Sequence, residues 1–208
     1  MNYPVETLLD TRFVKVFDLQ YAPGRHYYDA TRREKDDLVS WKDREAFQEM
    51  IPDAVSLCVV WHAAEHPDRM LLNQEFRYPL GQAVPSVPAG LIDPEDRGKD
   101  RESAIRATAA RELYEETGIA VTEKDGFRIL NACLFSSPGF TDESNAMVRI
   151  DLYGHEEKEL TQSHAEGAEQ FEGFRLVTVE EARRMMAEER ISVYTWIGLS
   201  EFAGSSVF

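Results

Sequence analysis

Residues 88–119 decide how this chain is interpreted, and they read PAGLIDPEDRGKDRESAIRATAARELYEETGI. The pattern predicts a helix over residues 103–117 that ends at a glycine, the expected C-terminal cap. Glu112 and Glu116 are four residues apart and Glu115 lies between them, so the three carboxylates share one edge of that helix. Like charges at the C-terminal end of a helix repel each other and oppose the helix dipole, and a bound hard cation would offset that cost.

The ligand chemistry of this acidic edge indicates a divalent metal. Clustered carboxylates with nearby carbonyl oxygens suit Mg²⁺ or Mn²⁺, whereas zinc prefers nitrogen and sulfur ligands. Charge alone also fits the solvated acidic face of an ordinary helix. The residues around the cluster decide between these two interpretations.

The run from Arg111 to Ile119 (RELYEETGI) resembles the second half of the Nudix box, the signature of the Nudix hydrolase family. The box reads Arg-Glu, an aliphatic residue, any residue, Glu-Glu, any residue, Gly and an aliphatic residue, and every fixed position matches. Gly90, within PAGLID, resembles the glycine that opens the box.

The first half of the box departs from the family pattern. Counted back from Arg111, the expected glutamate falls on Ser103, with Glu102 adjacent. We interpret the extra residues as an insertion at 94–102, which either shapes substrate access or is a passive loop.

The resemblance implies a role for each matching residue. Glu112, Glu115 and Glu116 would ligate Mg²⁺ (or Mn²⁺), together with the backbone carbonyl of Ala89. Arg111 would orient a carboxylate of the helix through its fixed fork of donors. Glu115 and Arg111 are therefore counted among the catalytic residues.

The resemblance also implies metal-assisted hydrolysis, in which bound cations neutralise a diphosphate and lower the pKa of a water molecule. A further carboxylate should deprotonate that water. In the family it comes from a loop before the last sheet strand, here residues 161–172. Glu169 is the first choice, and Glu166 and Glu172 remain open as alternatives.

Features outside the box resemble the ADP-ribose pyrophosphatase branch of the family. The run QEFRYP carries Arg77 at the position that contacts substrate phosphates in that branch, and SSPGFTDE from Ser136 resembles its downstream loop. Thr31 to Arg33 resembles the end of an N-terminal β-region that a partner subunit uses to enclose adenine, which implies a homodimer. The substrate contacts implied are Arg32, Arg77, Leu91, Gly139 and Phe140.

The whole chain is predicted to be α+β, a Nudix-type α/β/α sandwich with a mixed β-sheet. A β-hairpin over residues 13–31 places residues 1–41 in an N-terminal extension, expected to serve in dimerisation, and residues 42–208 in the Nudix domain. Further strands are predicted over 54–61, 70–77, 84–88, 127–135, 146–153 and 174–179, and further helices over 42–50, 180–189 and 191–203.

The composition limits the partners of the protein. With 38 acidic against 23 basic residues the net charge is -15, which excludes a general nucleic-acid binder and opposes binding to an anionic membrane. The chain shows no secretory signal and no apolar run of about 18 residues, so a cytoplasmic location is expected. The letters HAAEH, from His62 to His66, match a metalloprotease pattern, but Pro67 and the flanking strand-like runs predict a hairpin loop there.

The function implied is Mg²⁺-dependent hydrolysis of a nucleoside diphosphate derivative, with ADP-ribose converted to AMP and ribose 5-phosphate as the leading reaction. Another nucleotide sugar, such as GDP-mannose, is the enzymatic alternative on the same site. A catalytically weak Nudix domain that senses a nucleotide is the alternative from a different class, and the altered first half of the box is the reason to consider it.

Overall fold

The computed structural model describes residues 3–98, 100–164 and 170–204. It begins with a three-stranded antiparallel sheet in the order β1-β2-β3, formed by β1 (Val5–Asp10), β2 (Lys15–Ala22) and β3 (Arg25–Thr31). The predicted hairpin is the β2–β3 pair, and β1 was missed. Most side chains of β1 are exposed, so VETLLD lacks the alternation by which a half-buried strand is recognised.

A mixed sheet of seven strands forms the centre of the protein, with the order β10-β5-β4-β9-β8, β6 beside β5 and β7 beside β4. Its strands are β4 (Ala54–His62), β5 (Arg69–Arg77), β6 (Gln82–Ser86), β7 (Ala89–Leu91), β8 (Gly126–Phe135), β9 (Ser144–Tyr153) and β10 (Phe171–Val177). The pairing of β4 with β9 is parallel along the whole of β4, from Ala54 to His62. The strand predicted over 84–88 matches the second half of β6, and β7 was not predicted as a separate strand.

Helices cover both faces of this sheet, as predicted for an α/β/α sandwich. The helices are α1 (Arg44–Glu49), α2 (Arg101–Thr117), α3 (Val179–Glu188) and α4 (Val193–Phe202). Alternate side chains of β4 point to opposite faces, so Leu57 joins the apolar cluster under α2 and Val60 joins the cluster under α3 and α4. Because both faces of β4 are covered, its sequence reads as a continuous apolar run.

Both ends of α2 are capped by the residues next to it. The side chain of Asp100 accepts a hydrogen bond from the backbone N–H of Ser103, so the helix begins at Arg101, two residues before its predicted start. Gly118 closes the helix in the left-handed conformation at φ 78°, and its N–H bonds to the carbonyl of Tyr114. The predicted insertion contains a 3₁₀ turn over Asp96–Gly98.

The N-terminal sheet is joined to the central sheet by a buried ion pair. Arg33, just after β3, donates from Nη2 to Oδ2 of Asp53 at 2.7 Å. Asp53 also accepts from the backbone N–H and the hydroxyl of Ser144. A backbone hydrogen bond also links the N-terminal sheet to the rest of the protein, from the N–H of Ala30 to the carbonyl of Phe140 at 3.0 Å.

Three further observations concern the rest of the described chain. The HAAEH segment leaves the end of β4 and enters the connection to β5, as predicted for a hairpin loop. Cys58 and Cys133 are free thiols on β4 and β8, the first buried and the second half-buried. Within the described ranges, no helix combines the length and the apolar character that crossing a membrane requires.

Candidate active site

Gly90 and Glu112 are in direct contact where β7 passes α2. A Cβ atom placed on Gly90 would lie 1.9 Å from Oε1 of Glu112, so no side chain fits there while the carboxylate keeps its position. The glycine therefore lets the strand approach the helix closely, and the buried carboxylate of Glu112 fills the space a side chain would occupy.

Arg111 ties two of the three glutamates to the same strand. Its Nη1 lies 2.8 Å from Glu115 Oε2 and its Nη2 lies 2.8 Å from Glu112 Oε1. Nη2 also donates to the carbonyl of Leu91 at 2.9 Å. Burial lowers the pKa of Arg111, but Glu112 and Glu115 outweigh this effect and raise it above its ordinary value. The guanidinium thus bridges the two carboxylates and fixes them relative to β7.

Glu116 is buried and is held by partners from two strands. Its carboxylate accepts hydrogen bonds from the side-chain amide of Asn73 on β5 and, at 3.2 Å, from the backbone N–H of Ala89 on β7. Asn73 is itself fully buried, and its Oδ1 accepts from Gln162 at 3.4 Å. Asn73 was not singled out from the sequence. The feature that could have identified it is a side-chain amide directly after the apolar residues of the predicted strand MLLNQEFR.

The donor set suits a hard divalent cation by its chemistry. It consists of three carboxylates, two of them buried, beside the strand that carries the Ala89 carbonyl. Across the part of the chain that the structure describes, however, no three His, Cys, Asp or Glu side chains converge closely enough to hold a metal ion. Arg111 contacts one carboxylate oxygen of Glu112 and one of Glu115.

A cleft of about 1000 Å³ opens beside β7. This volume is at the upper end of the range for small-molecule sites, roughly 300–1,000 Å³. Four residues predicted to bind metal or substrate line the cleft, namely Ala89, Leu91, Arg32 and Arg77.

Both predicted substrate arginines are paired with carboxylates. Arg77 Nη2 lies 2.6 Å from Glu75 Oε2, and Arg32 Nε lies 2.5 Å from Glu143 Oε1. Burial raises the pKa of Glu75 above its ordinary value, although Arg77 opposes that shift.

Gly139 and Phe140, also predicted to contact substrate, are not among the residues that line the cleft. The carbonyl of Gly139 accepts from the hydroxyl of Tyr27 at 3.0 Å, and that of Phe140 accepts from Ala30. The structure therefore places this loop against β3, with the Phe140 ring exposed.

Three residues are predicted as alternatives for the catalytic base. Glu169 and Glu166 fall outside the described residues. Glu172 is exposed, and it lies on β10 itself and not in the loop before it.

One wall of the cleft was missed in the sequence, where the stretch from residue 191 onward gave no functional clue. Residues between α3 and α4 and at the start of α4 contribute to it, namely Glu189, Arg190, Ile191, Ser192 and Tyr194. Short runs of this kind carry no motif, and the packing of α4 against β4 and β6 brings them to the cleft.

Comparisons with known proteins identify the family of this chain. A family model described as NUDIX domain matches residues 50–197. A Nudix hydrolase of Schizosaccharomyces pombe is 25% identical over 173 residues, covering 82% of this chain and 78% of that protein.

Two relatives carry the name ADP-ribose pyrophosphatase. The one from Saccharomyces cerevisiae is 35% identical over 88 residues, covering 41% of this chain and 32% of that protein. The one from Bacillus subtilis is 29% identical over 123 residues, covering 59% of this chain and 58% of that protein. The matched region is thus less than two thirds of the length of either relative.

A solved structure supports the fold. The crystal structure of an ADP compounds hydrolase superposes with a TM-score of 0.52 at 18% sequence identity, covering 89% of this chain and 82% of that one. At this level of identity the likeness concerns the arrangement of helices and strands.

Proposed function

This chain belongs to the Nudix family, and we propose that it hydrolyses the pyrophosphate bond of a small nucleoside diphosphate derivative with the help of Mg²⁺ or Mn²⁺. The observation that carries the proposal is the contact between α2 and β7, where Arg111 bridges Glu112 and Glu115 and Glu112 lies against Gly90, a residue that lines the cleft. A solvated acidic helix face needs neither a glycine pressed against one carboxylate nor an arginine that bridges two.

ADP-ribose is the substrate we propose, with AMP and ribose 5-phosphate as products. Two relatives, from Saccharomyces cerevisiae and Bacillus subtilis, are named ADP-ribose pyrophosphatases. The cleft is large enough for such a molecule, and Arg32 and Arg77 supply cations at its wall.

The metal would be held by Glu112, Glu115 and Glu116 with the backbone carbonyl of Ala89. When bound, it would neutralise the diphosphate and make a water molecule more acidic. Arg111 would keep Glu112 and Glu115 in register with β7, since it already donates to both and to Leu91. Asn73 would orient Glu116 in the same way, from β5.

The remaining roles are assigned to residues around the cleft. Glu169 is the proposed base that takes the proton of the attacking water. Leu91, Arg32 and Arg77 would contact the substrate from the cleft wall. Gly139 and Phe140 would reach it from the seam between their loop and the N-terminal sheet.

We also propose that residues 1–41 form the interface of a homodimer. Several large apolar side chains of the N-terminal sheet and its first turn are exposed in the single chain. They are Leu8, Leu9, Phe13, Val14, Tyr21, Tyr27 and Tyr28.

The test is the release of products from a panel of nucleoside diphosphate derivatives with Mg²⁺, repeated with EDTA. We expect preferential, chelator-sensitive conversion of ADP-ribose to AMP. Preference for a nucleotide sugar such as GDP-mannose would keep the chemistry and change the substrate. Binding without cleavage of any member would favour the nucleotide sensor.

A pair of variants tests the metal assignment in the same assay. Glu116→Gln should lower kcat by at least about a hundredfold, since even residues that merely orient a metal ligand contribute 10–100-fold. Glu102→Gln is the matched control, because Glu102 lies on the same helix and pairs only with Arg106 in the described structure. Full activity of Glu116→Gln with unchanged metal dependence would overturn the assignment.

A further inference from the structure

Arg190 lies in the wall of the cleft, in the connection between α3 and α4. Glu189 is fixed by Arg175, which donates to both of its carboxylate oxygens, at 2.8 and 2.9 Å. Ile191 packs against the apolar cluster under α3 and α4, and Ser192 caps the first turn of α4. The residues before and after Arg190 are therefore anchored, while its own side chain is exposed at the cleft.

Arg190 differs from the other arginines that line the cleft in its ion pairing. Arg77 is paired with Glu75, and Arg32 is paired with Glu143. Within residues 3–98, 100–164 and 170–204, Arg190 makes no ion pair, and the carboxylate next to it is already taken by its own partner. An anion that enters the cleft can therefore meet Arg190 without first displacing a carboxylate.

The neighbourhood favours this role. The protein carries a net charge of -15, which repels an anionic substrate, and a cation at the cleft lowers that barrier locally. Tyr194 lines the same wall, and burial raises the pKa of its phenol, so it adds no negative charge beside the guanidinium.

We propose that Arg190 is a substrate-binding residue that donates to phosphate oxygens of the nucleoside diphosphate. The assignment rests on the proposed function, because that function defines the ligand. Its contribution lies in affinity and not in the chemical step, since Arg190 lines the cleft after α3, whereas the carboxylates of α2 are not among the residues that line it. A planar guanidinium is suited to phosphate because its parallel N–H groups match two oxygens at once.

The test compares Arg190→Gln and Arg190→Lys with the control Arg184→Gln. Arg184 is an exposed arginine of α3 that does not line the cleft, so the control changes net charge by the same amount. We expect Arg190→Gln to raise KM about tenfold with kcat within about twofold, the usual size of a lost charged hydrogen bond. Arg190→Lys should keep part of the affinity, and the difference from wild type should shrink in high salt.

Calorimetric binding of ADP, with Ca²⁺ in place of Mg²⁺, separates this assignment from the proposed function. If wild type cleaves no member of the panel but binds ADP about tenfold more tightly than Arg190→Gln, the proposed function fails and the role of Arg190 stands. If wild type cleaves a substrate and Arg190→Gln matches Arg184→Gln in both KM and ADP affinity, the role of Arg190 is overturned and the function stands. If wild type neither cleaves the panel nor binds ADP, both are overturned.

Discussion

The carboxylate of Glu112 occupies the volume that a side chain at position 90 would need, because a Cβ on Gly90 would lie within 2.3 Å of both of its oxygens. The two residues come from different elements, β7 and α2, and their contact sets the distance between strand and helix. Glu112 is also one of the two carboxylates that Arg111 bridges. A change at residue 90 therefore affects the acidic cluster by displacing Glu112.

Gly90→Ala should fold and lose activity. The atom it displaces is the end of a side chain, so Glu112 can turn away, and kcat/KM should fall at least about a hundredfold while half-saturation moves to higher Mg²⁺. The measurement is a Mg²⁺ titration of kcat/KM. The same change made in a Glu112→Ala background should add almost nothing. Equal costs in both backgrounds would show that Gly90 acts by some other route.

Arg111→Lys should weaken metal binding while leaving the fold intact. A lysine has one ammonium group and cannot serve Glu112, Glu115 and the Leu91 carbonyl from fixed positions. We expect the Mg²⁺ concentration for half-maximal activity to rise about 10–100-fold. Arg106→Lys, on the exposed side of α2, is the control and should leave this value unchanged.

Asp53→Ala should lower the free energy of unfolding by about 3–5 kcal/mol, because it breaks a buried ion pair and leaves Arg33 without this partner. Urea unfolding followed by linear extrapolation measures the loss. Arg97→Gln removes the weaker contact with Asp53, at 3.4 Å from a partly exposed side chain, and should cost less than about 1 kcal/mol. Similar losses in the two variants would contradict the central place of the Arg33–Asp53 pair.

Asp29 should make the protein less stable as the pH rises from acid to neutral. Burial, with the nearby charge of Asp142, raises the pKa of Asp29 from 3.8 to about 6. Because the folded pKa lies above the unfolded one, the stability that this group contributes is present below about pH 4 and is lost as the pH rises through about 6.

Asp29→Asn removes that titration and can still accept the hydrogen bond from the backbone N–H of Asp142. The variant should therefore match wild type near pH 4 and exceed it at pH 8 by on the order of 1 kcal/mol. Asp36→Asn, in an exposed loop, serves as the comparison in the same urea series. A stability difference at Asp29 that stays constant from pH 4 to pH 8 would contradict the expected titration.

The elements that could be predicted from sequence are those whose pattern reflects their own burial. β4 could be predicted because burial of both its faces gives a continuous apolar run. α2 could be predicted because its capping residues are adjacent to it in the sequence. β1 has no comparable sequence pattern, since its side chains are mostly exposed and its hydrogen bonds with β2 do not depend on side-chain type.

The residues of the site differ in the same way in how far the sequence predicts them. The glutamates of α2 follow a short motif, whereas Asn73 reaches Glu116 across the sheet and Arg190 reaches the cleft from the far end of the chain. The pairing of Arg32 with Glu143 is likewise a contact between distant segments. Side chains that are brought together only by the packing of separate elements have no characteristic spacing in the sequence, so their contacts cannot be predicted from it.

The parallel pairing of β4 with β9 also has a consequence for synthesis on the ribosome. Ala54 finds its partner in Asn145, far later in the chain, so the most apolar strand waits for its neighbour for roughly 5–20 s at ordinary elongation rates. During that interval one edge of β4 has no strand to pair with, and open apolar edges invite association with other chains. The nascent protein should therefore depend on holding chaperones most strongly just before β9 leaves the exit tunnel.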